Sequence, residues 1–181
     1  SVCPATATDY DMGTGIVSQI YTRCFGCRYC MAGCPYHVRL FNWWDPVWPA
    51  GMEKTLNPDV SVRMRGVVEK CSFCFHRYQR AMETAHYEDR TELEEDEYQT
   101  SCTQACPAGA ITFGDLNNPD HAVNQLVKPD NSHGGKPKNP NAFRLLERLG
   151  TNPKVYYLSS REWVRNAGDN YVKNEKASAG H

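Results

Sequence analysis

The chain has 181 residues, 40% of them hydrophobic and 11% aromatic, which excludes a disordered polypeptide and is enough for one domain with a core or two small ones. Lys and Arg number 20 against 21 Asp and Glu, a net charge of −1, so nothing electrostatic points to nucleic acid as a partner. No apolar run approaches the roughly 20 residues of a membrane-spanning helix, and these residues contain no initiator Met, charged n-region or apolar h-region.

In chain order, the first feature is Cys3-Pro4, followed by a segment that reads as a hairpin. A strand leads to a Gly-containing turn at Met12 to Gly15, and a second strand runs from Ile16 to Ile20. Next comes Cys24-x2-Cys27-x2-Cys30-x3-Cys34-Pro35. Phe41 to Pro58 carries Trp43, Trp44, Trp48 and three prolines, the pattern of an irregular loop. Those tryptophans either pack on the chain's own core or meet a subunit or membrane interface. Arg63 and Arg65, either solvated or a cationic stripe near anionic groups, precede a VVEKC strand that leads into Cys71-x2-Cys74.

Phe75 to His86 is predicted as a helix, followed by the acidic run at Glu92, Glu94, Glu95, Asp96 and Glu97. That run is either simply solvated or a docking patch for a basic electron-transfer partner. Cys102-x3-Cys106-Pro107 comes next, then a predicted strand Ala110 to Phe113 and a turn-rich linker over 128–141. A short helix from Ala142 to Leu149 is expected, with Leu145, Leu146 and Leu149 on one face and Gly150 ending it. Val155 to Leu158 reads as a strand that could pair with Ile111–Phe113, and the tail after Asn166 is polar and expected to drape over a partner. The chain shows no phosphate-binding Gly-rich loop, catalytic triad or paired-carboxylate motif, so no catalytic residue is assigned.

The nine cysteines carry the chemistry. Their density is too low for a disulfide scaffold on composition alone, and their number is odd. C-x2-C-x2-C-x3-C-P is the bacterial ferredoxin spacing for cubane iron–sulfur clusters. Three thiolates on one tight loop can cap three irons, with Gly26 letting the backbone wrap the cube. The fourth cysteine points away toward a neighbouring cluster, and proline then redirects the chain. A structural zinc site or a disulfide framework is the duller alternative. Haem attachment is excluded, because neither Cys27–Cys30 nor Cys71–Cys74 is followed by His. Three Cys-Pro pairs occur, so Cys3 reads as the last ligand of an earlier motif, the alternative being a stray buried thiol. If the parent polypeptide has four such motifs, seven further cysteine ligands are expected upstream of Ser1.

The stretches RCFGCRYCMAGCPYHVRLFNWW, NPDVSVRMRGVVEKCSFC, SCTQACPAGAITFGDLNNPD and LLERLGTNPKVYYL resemble the four-cluster iron–sulfur subunits of membrane-bound respiratory oxidoreductases. That family includes the electron-transfer subunits of dimethyl sulfoxide, polysulfide and tetrathionate reductases, and the texture is similar to the iron–sulfur subunits of menaquinone reductase (Qrc) and alternative complex III. The resemblance covers most of 1–158; the tryptophan-rich segment, the acidic insertion and the C-terminal tail depart from it. It implies an α+β, bacterial ferredoxin-like, pseudo-twofold fold. Residues 1–127 would form the cluster-binding domain, incomplete at its N-terminus and with insertions at 41–62 and 78–100. Residues 128–181 would be an extension packing on partners.

The resemblance also implies [4Fe-4S] clusters with nested ligand sharing, and leaves open a [3Fe-4S] cluster upstream. Cys3, Cys24, Cys27 and Cys30 would hold one complete cluster, and Cys34 would serve a cluster otherwise ligated upstream. Cys71, Cys74 and Cys102 would form a three-ligand set, with Cys106 reaching back to the first motif's cluster. In the competing partition, Cys24, Cys27 and Cys30 take Cys106, and Cys71, Cys74 and Cys102 take Cys34. The implied function is electron relay between a cytochrome or molybdopterin-type redox subunit and an integral membrane subunit that binds menaquinone. The chain would sit peripherally on the bacterial cytoplasmic membrane, at its periplasmic face. A self-standing two-cluster ferredoxin and a structural zinc-binding module are the rival readings.

Overall fold

The computed structural model describes residues 2–130 and 135–169. It is a mixture of short helices and three separate two-stranded antiparallel ladders, an α+β architecture. The chain divides into two compact units, Ser1–Ser101 and Cys102–His181.

The first unit begins with the expected hairpin, β1 (Thr8–Tyr10) paired with β2 (Val17–Gln19) in the register Thr8↔Gln19. Asp11 makes the turn: its carboxylate accepts the Gly13 and Thr14 amides and the Thr14 hydroxyl at 2.6 Å. A 3₁₀ turn, Tyr21–Arg23, delivers the chain to the cysteine loop, and α1 (Tyr29–Ala32) carries Cys30. β3 (Leu40–Phe41) pairs with β4 (Val68–Glu69), so the segment between them leaves and returns as one long excursion. Apart from a 3₁₀ turn at Met52–Thr55 that excursion is irregular, as its prolines predict. α2 (Phe75–Tyr87) matches the expected helix within a residue. α3 (Ser101–Ala105) crosses the boundary between the units.

In the second unit, α4 (Ala122–Val127) follows, with His121 accepting the Asp115 amide at Nδ1. Two expectations are corrected here. The segment Ala142–Leu149 is not a helix: β5 (Ala142–Phe143) is a strand, Leu146 takes φ 53°, and a 3₁₀ turn spans Glu147–Leu149. The short leucine periodicity loses to tertiary demands, because β5 pairs with β6 (Tyr157–Leu158) and Arg144 turns inward to meet Glu147. Residues Ala110–Phe113 form no strand, so β6 has β5 as its partner rather than Ile111–Phe113. Gly150 does terminate the segment at φ 65°, as expected.

The start of the tail expected after Asn166 is instead the end of a helix, α5 (Glu162–Asp169), which packs on β5. The expectation for the rest of that tail lies outside the described residues. The buried apolar side chains of the first unit are few and small: Ala7, Ile16, Cys30, Val67, Val68 and Ala85. Segments this short and loop-rich rely on ligation more than on hydrophobic burial to hold their shape.

Candidate metal centre

Cys24 ends the Tyr21–Arg23 turn, its amide donating to the Tyr21 carbonyl at 3.0 Å. The chain then reverses through Gly26 at φ +79° and Arg28 at φ 62°, so that Cys27 and Cys30 fold back toward Cys24. Gly26 is required here. A Cβ on it would lie 2.2 Å from the Gly66 carbonyl oxygen, so the loop packs backbone against backbone on the segment entering β4. That segment is itself anchored, Gly66 donating to Asn42 at 2.8 Å and Asn42 to Val67 at 3.0 Å.

The result is an open recess bordered by Cys24, Cys27, Cys30 and, from the start of the chain, Cys3. Gln19, Phe25, Gly26, Arg28 and Val68 complete much of its wall. Cys34, two residues beyond α1, does not border it. Among the described residues, no three His, Cys, Asp or Glu side chains converge on the position of a single ion.

Backbone amides point at five of the sulfurs. Val68 N–H donates to Cys24 Sγ at 3.4 Å, and Ala7 N–H to Cys3 Sγ at 3.2 Å. Phe73 N–H donates to Cys71 at 3.4 Å, Ser101 N–H to Cys74 at 3.5 Å and Ala110 N–H to Cys106 at 3.4 Å. At Cys3 and Cys106 such donors favour thiolate over thiol. At Cys3, burial raises the thiol pKa, but the amides of Ala7, Thr8 and Ala5 and the charge of Arg39 outweigh it and hold the group below the ordinary range. At Cys106 the Ala110 amide leads the same lowering. Four thiols bordering an open recess, with amide donors on the sulfurs of Cys3 and Cys24, form a donor set that suits an iron–sulfur cluster: cysteine ligands with hydrogen bonds to sulfur.

Cys71 and Cys74 lie on a second loop, where Phe73 and Cys74 both take left-handed φ near 54° at the entrance to α2. The acidic insertion returns onto this loop. The Tyr98 hydroxyl donates to the Phe73 carbonyl, and the Arg77 guanidinium donates to the Gln99 carbonyl at 3.1 Å. Burial, with the nearby Cys74 and Cys71 adding to it, raises the Tyr98 pKa well above the ordinary phenol range. Arg90 closes the insertion by binding Glu88 and Glu97 together. Cys102 and Cys106 belong to the second unit, Cys102 exposed on α3 and Cys106 just after it.

The tryptophan-rich loop is a surface feature. Trp44 is 77% exposed and Val47 90%, with Trp43 and Trp48 also open to solvent. Trp43 packs edge-on against Phe41, ring centroids 4.7 Å apart, and the Arg28 guanidinium covers both rings at 5.1 and 5.3 Å. Arg63 instead lies over Tyr21 at 4.2 Å, and Arg65 is anchored through its amide to Asp45. The sequence reading did not single out two cations that bond to the β1–β2 hairpin, Arg39 and Lys70. The available signal was the position of Lys70, immediately before a ligand-type cysteine.

Three curated relatives place the chain. It is 61% identical over 178 residues to the menaquinone reductase iron–sulfur cluster-binding subunit of Nitratidesulfovibrio vulgaris, covering 97% of this chain and 66% of that protein. It is 34% identical over 155 residues to the Hdr-like menaquinol oxidoreductase iron–sulfur subunit 1 of Archaeoglobus fulgidus, covering 84% of this chain and 49% of that one. Against protein NrfC of Escherichia coli K12 the identity is 32% over 155 residues, 86% of this chain and 49% of that protein. The chain thus spans about two thirds of the first relative and about half of the other two. No protein-family model matches it. The spacing of the cysteines, the recess they border and the identities to these relatives agree: the chain belongs to the family of iron–sulfur subunits of respiratory oxidoreductases.

Proposed function

We propose that this chain relays single electrons through [4Fe-4S] clusters between a redox subunit and the menaquinone site of an integral membrane partner. The observation that carries the reading is the convergence of Cys3, Cys24, Cys27 and Cys30 on one recess, although Cys3 lies 21 residues before Cys24. Each bound cluster would supply a one-electron couple. The chain's own residues do the rest. The four cysteines ligate, the amides of Ala7 and Val68 donate to the sulfurs of Cys3 and Cys24, and Val68, Phe25 and the Arg28–Phe41–Trp43 stack limit water at the recess. Amide donors stabilise the more negative, reduced cluster, so these contacts also raise its potential.

By the family's ligand sharing, Cys34 serves a second cluster, Cys71, Cys74 and Cys102 a third, and Cys106 a fourth, around a ferredoxin-like pseudo-twofold core. The exposed Trp43–Trp48 loop is the contact with the membrane subunit. No helix among the described residues is long and apolar enough to cross a membrane, which supports peripheral attachment, placed here on the periplasmic face. The zinc-module alternative is disfavoured by the spacing itself, since a four-ligand zinc site does not explain four cysteines within eleven residues followed by proline.

The test is Cys27→Ser in the assembled complex, supplied with artificial electron donors. Loss of the cluster should abolish delivery of electrons to menaquinone. Undiminished delivery with that cluster demonstrably absent contradicts the relay.

A further inference from the structure

Among the residues named above as bordering the cysteine recess, Gln19 and Arg28 carry the polar side chains that are not cysteine. Arg28 is committed to the rings of Phe41 and Trp43. Gln19 is placed by the hairpin. It closes β2 directly opposite Thr8, so the two side chains share a face of the ladder. Their neighbours lock the same end of the hairpin to the recess. The Ile20 amide donates to the Ala7 carbonyl at 2.7 Å, and the Ala7 amide donates to Cys3 Sγ at 3.2 Å.

The orientation of the Gln19 carboxamide follows from its partners. Arg39 Nη1 lies 2.7 Å from one atom of that group, and the Thr8 hydroxyl donates to the same atom at 3.1 Å. A guanidinium has donors and no acceptor, so the atom facing it is the amide oxygen; a flipped carboxamide would set N–H against N–H. Arg39 also donates to Thr8 Oγ1 at 3.1 Å, which leaves the hydroxyl proton for Gln19. With two donors on Oε1 the oxygen is satisfied, and the NH2 group is held on the other side of the carboxamide carbon. Among the described residues, that NH2 group donates to no acceptor. A half-buried amide donor whose orientation is fixed by its own oxygen is prepared for an acceptor that the side chains do not supply.

We propose that Gln19 Nε2–H donates to a sulfur of the cluster held by Cys3, Cys24, Cys27 and Cys30, and that this hydrogen bond raises the cluster's reduction potential. This rests on the cluster reading given under Proposed function. An added electron makes the cluster more negative by one charge, so a donor aimed at its sulfur holds the reduced form more strongly than the oxidised one. Arg39 and Thr8 are positioning residues: they keep the nitrogen, rather than the oxygen, of the carboxamide available to the recess. The amides of Ala7 and Val68 are backbone donors to the ligand sulfurs, whereas Gln19 is a side-chain donor and can be removed by substitution.

The experiment is a potentiometric titration followed by electron paramagnetic resonance, with electron–nuclear double resonance before and after exchange into D2O, on the full-length subunit in its purified complex. The cluster signal read is the one lost in Cys24→Ser. Wild type is compared with Gln19→Leu, which removes the donor without changing the charge, and Gln19→Glu, which keeps an acceptor for Arg39 and Thr8 but has no N–H. Gln19→Leu should keep the signal and lose one exchangeable-proton coupling. Its midpoint should move negative by about tenfold in the reduced-to-oxidised ratio, about 59 mV for a one-electron couple, while the other clusters stay unmoved. Gln19→Glu should lose the same coupling. An unmoved midpoint or a full set of couplings in Gln19→Leu overturns the proposal and leaves the relay reading intact. If Gln19→Leu alone fails to hold the cluster, the coupling in Gln19→Glu decides: its absence upholds the proposal and its persistence overturns it. Loss of the cluster from both variants overturns it, because Gln19 is then structural. A wild-type complex without cubane signals would refute the relay reading and the proposal with it.

Discussion

Replacing Gly26 by Ala perturbs the loop that presents Cys24, Cys27 and Cys30 at its tightest point. The new Cβ would lie 2.2 Å from the Gly66 carbonyl oxygen and 3.2 Å from Phe41, and the oxygen is backbone, held by the bonds between Asn42 and both Gly66 and Val67. Two costs add. A non-glycine residue at φ +79° loses about 1–2 kcal/mol, and forcing the two strands of backbone apart costs about 1–3 kcal/mol more. Gly66→Ala is the matched control: its φ is +88°, but nothing lies within 4 Å of its Cβ, so it carries only the first cost. A chelator reaches iron when the loop opens. The difference of about 1–3 kcal/mol therefore predicts iron release roughly 5–150 times faster from Gly26→Ala than from Gly66→Ala. Bleaching of the visible absorbance under chelator in mild urea measures this. Equal rates for the two variants would refute the claim that the Gly26–Gly66 approach shapes the site.

Glu147→Gln leaves the buried Arg144 guanidinium without its carboxylate, and because Glu147 is itself one-third exposed we expect a loss of about 1–3 kcal/mol in urea unfolding of the full chain. Arg144 holds the Glu147 pKa below its ordinary 4.5, so this contribution is complete above pH 4.5 and fades as pH falls through the folded-state value; the gap between wild type and variant should close on acidification, and a gap that widens contradicts the assignment. Arg90→Ala should open the insertion at 88–97 to a glutamate-specific protease without changing iron content, and unchanged cleavage would show that the staple is idle. In wild type that staple should persist on acidification until Glu97 protonates near pH 2, its pKa held down to about 2 chiefly by its hydrogen bond from Arg90, which amide exchange from pH 4.5 downward can follow. Trp44→Ser should leave the subunit's own stability within about 0.5 kcal/mol but weaken its binding to the membrane partner, whereas assembly at wild-type affinity would free the loop of that role.

How much could be read in advance followed the physics of each signal. Cysteine spacing is discrete, and the loop that gathers Cys24, Cys27 and Cys30 needs little beyond Gly26, so the recess was legible, including the distant Cys3 through its Pro4. The hairpin was legible because Asp11, Gly13 and Thr14 make their turn locally. α2 was legible from thirteen residues of helical pattern. Residues 142–149 were not, because three leucines cannot outweigh a ladder between β5 and β6, which is not local. α5 escaped for a related reason. Its sequence is polar overall, and what places it is the contact of Gly168 with Phe143, where a Cβ would come within 2.6 Å of the ring. Lys70 and Arg39 were missed because a cation's partner is fixed only when β2 and β4 are brought together.

The central claim is that Cys3, Cys24, Cys27 and Cys30 hold one and the same cluster. The direct measurement is iron content together with electron paramagnetic resonance on the full-length subunit carrying Cys3→Ser, Cys24→Ser or Cys106→Ser. We expect Cys3→Ser and Cys24→Ser to lose or alter the same single cluster signal, and Cys106→Ser to leave that signal intact while affecting another. A Cys3→Ser protein with every cluster unchanged, or a Cys106→Ser protein that loses the signal lost in Cys24→Ser, would contradict it.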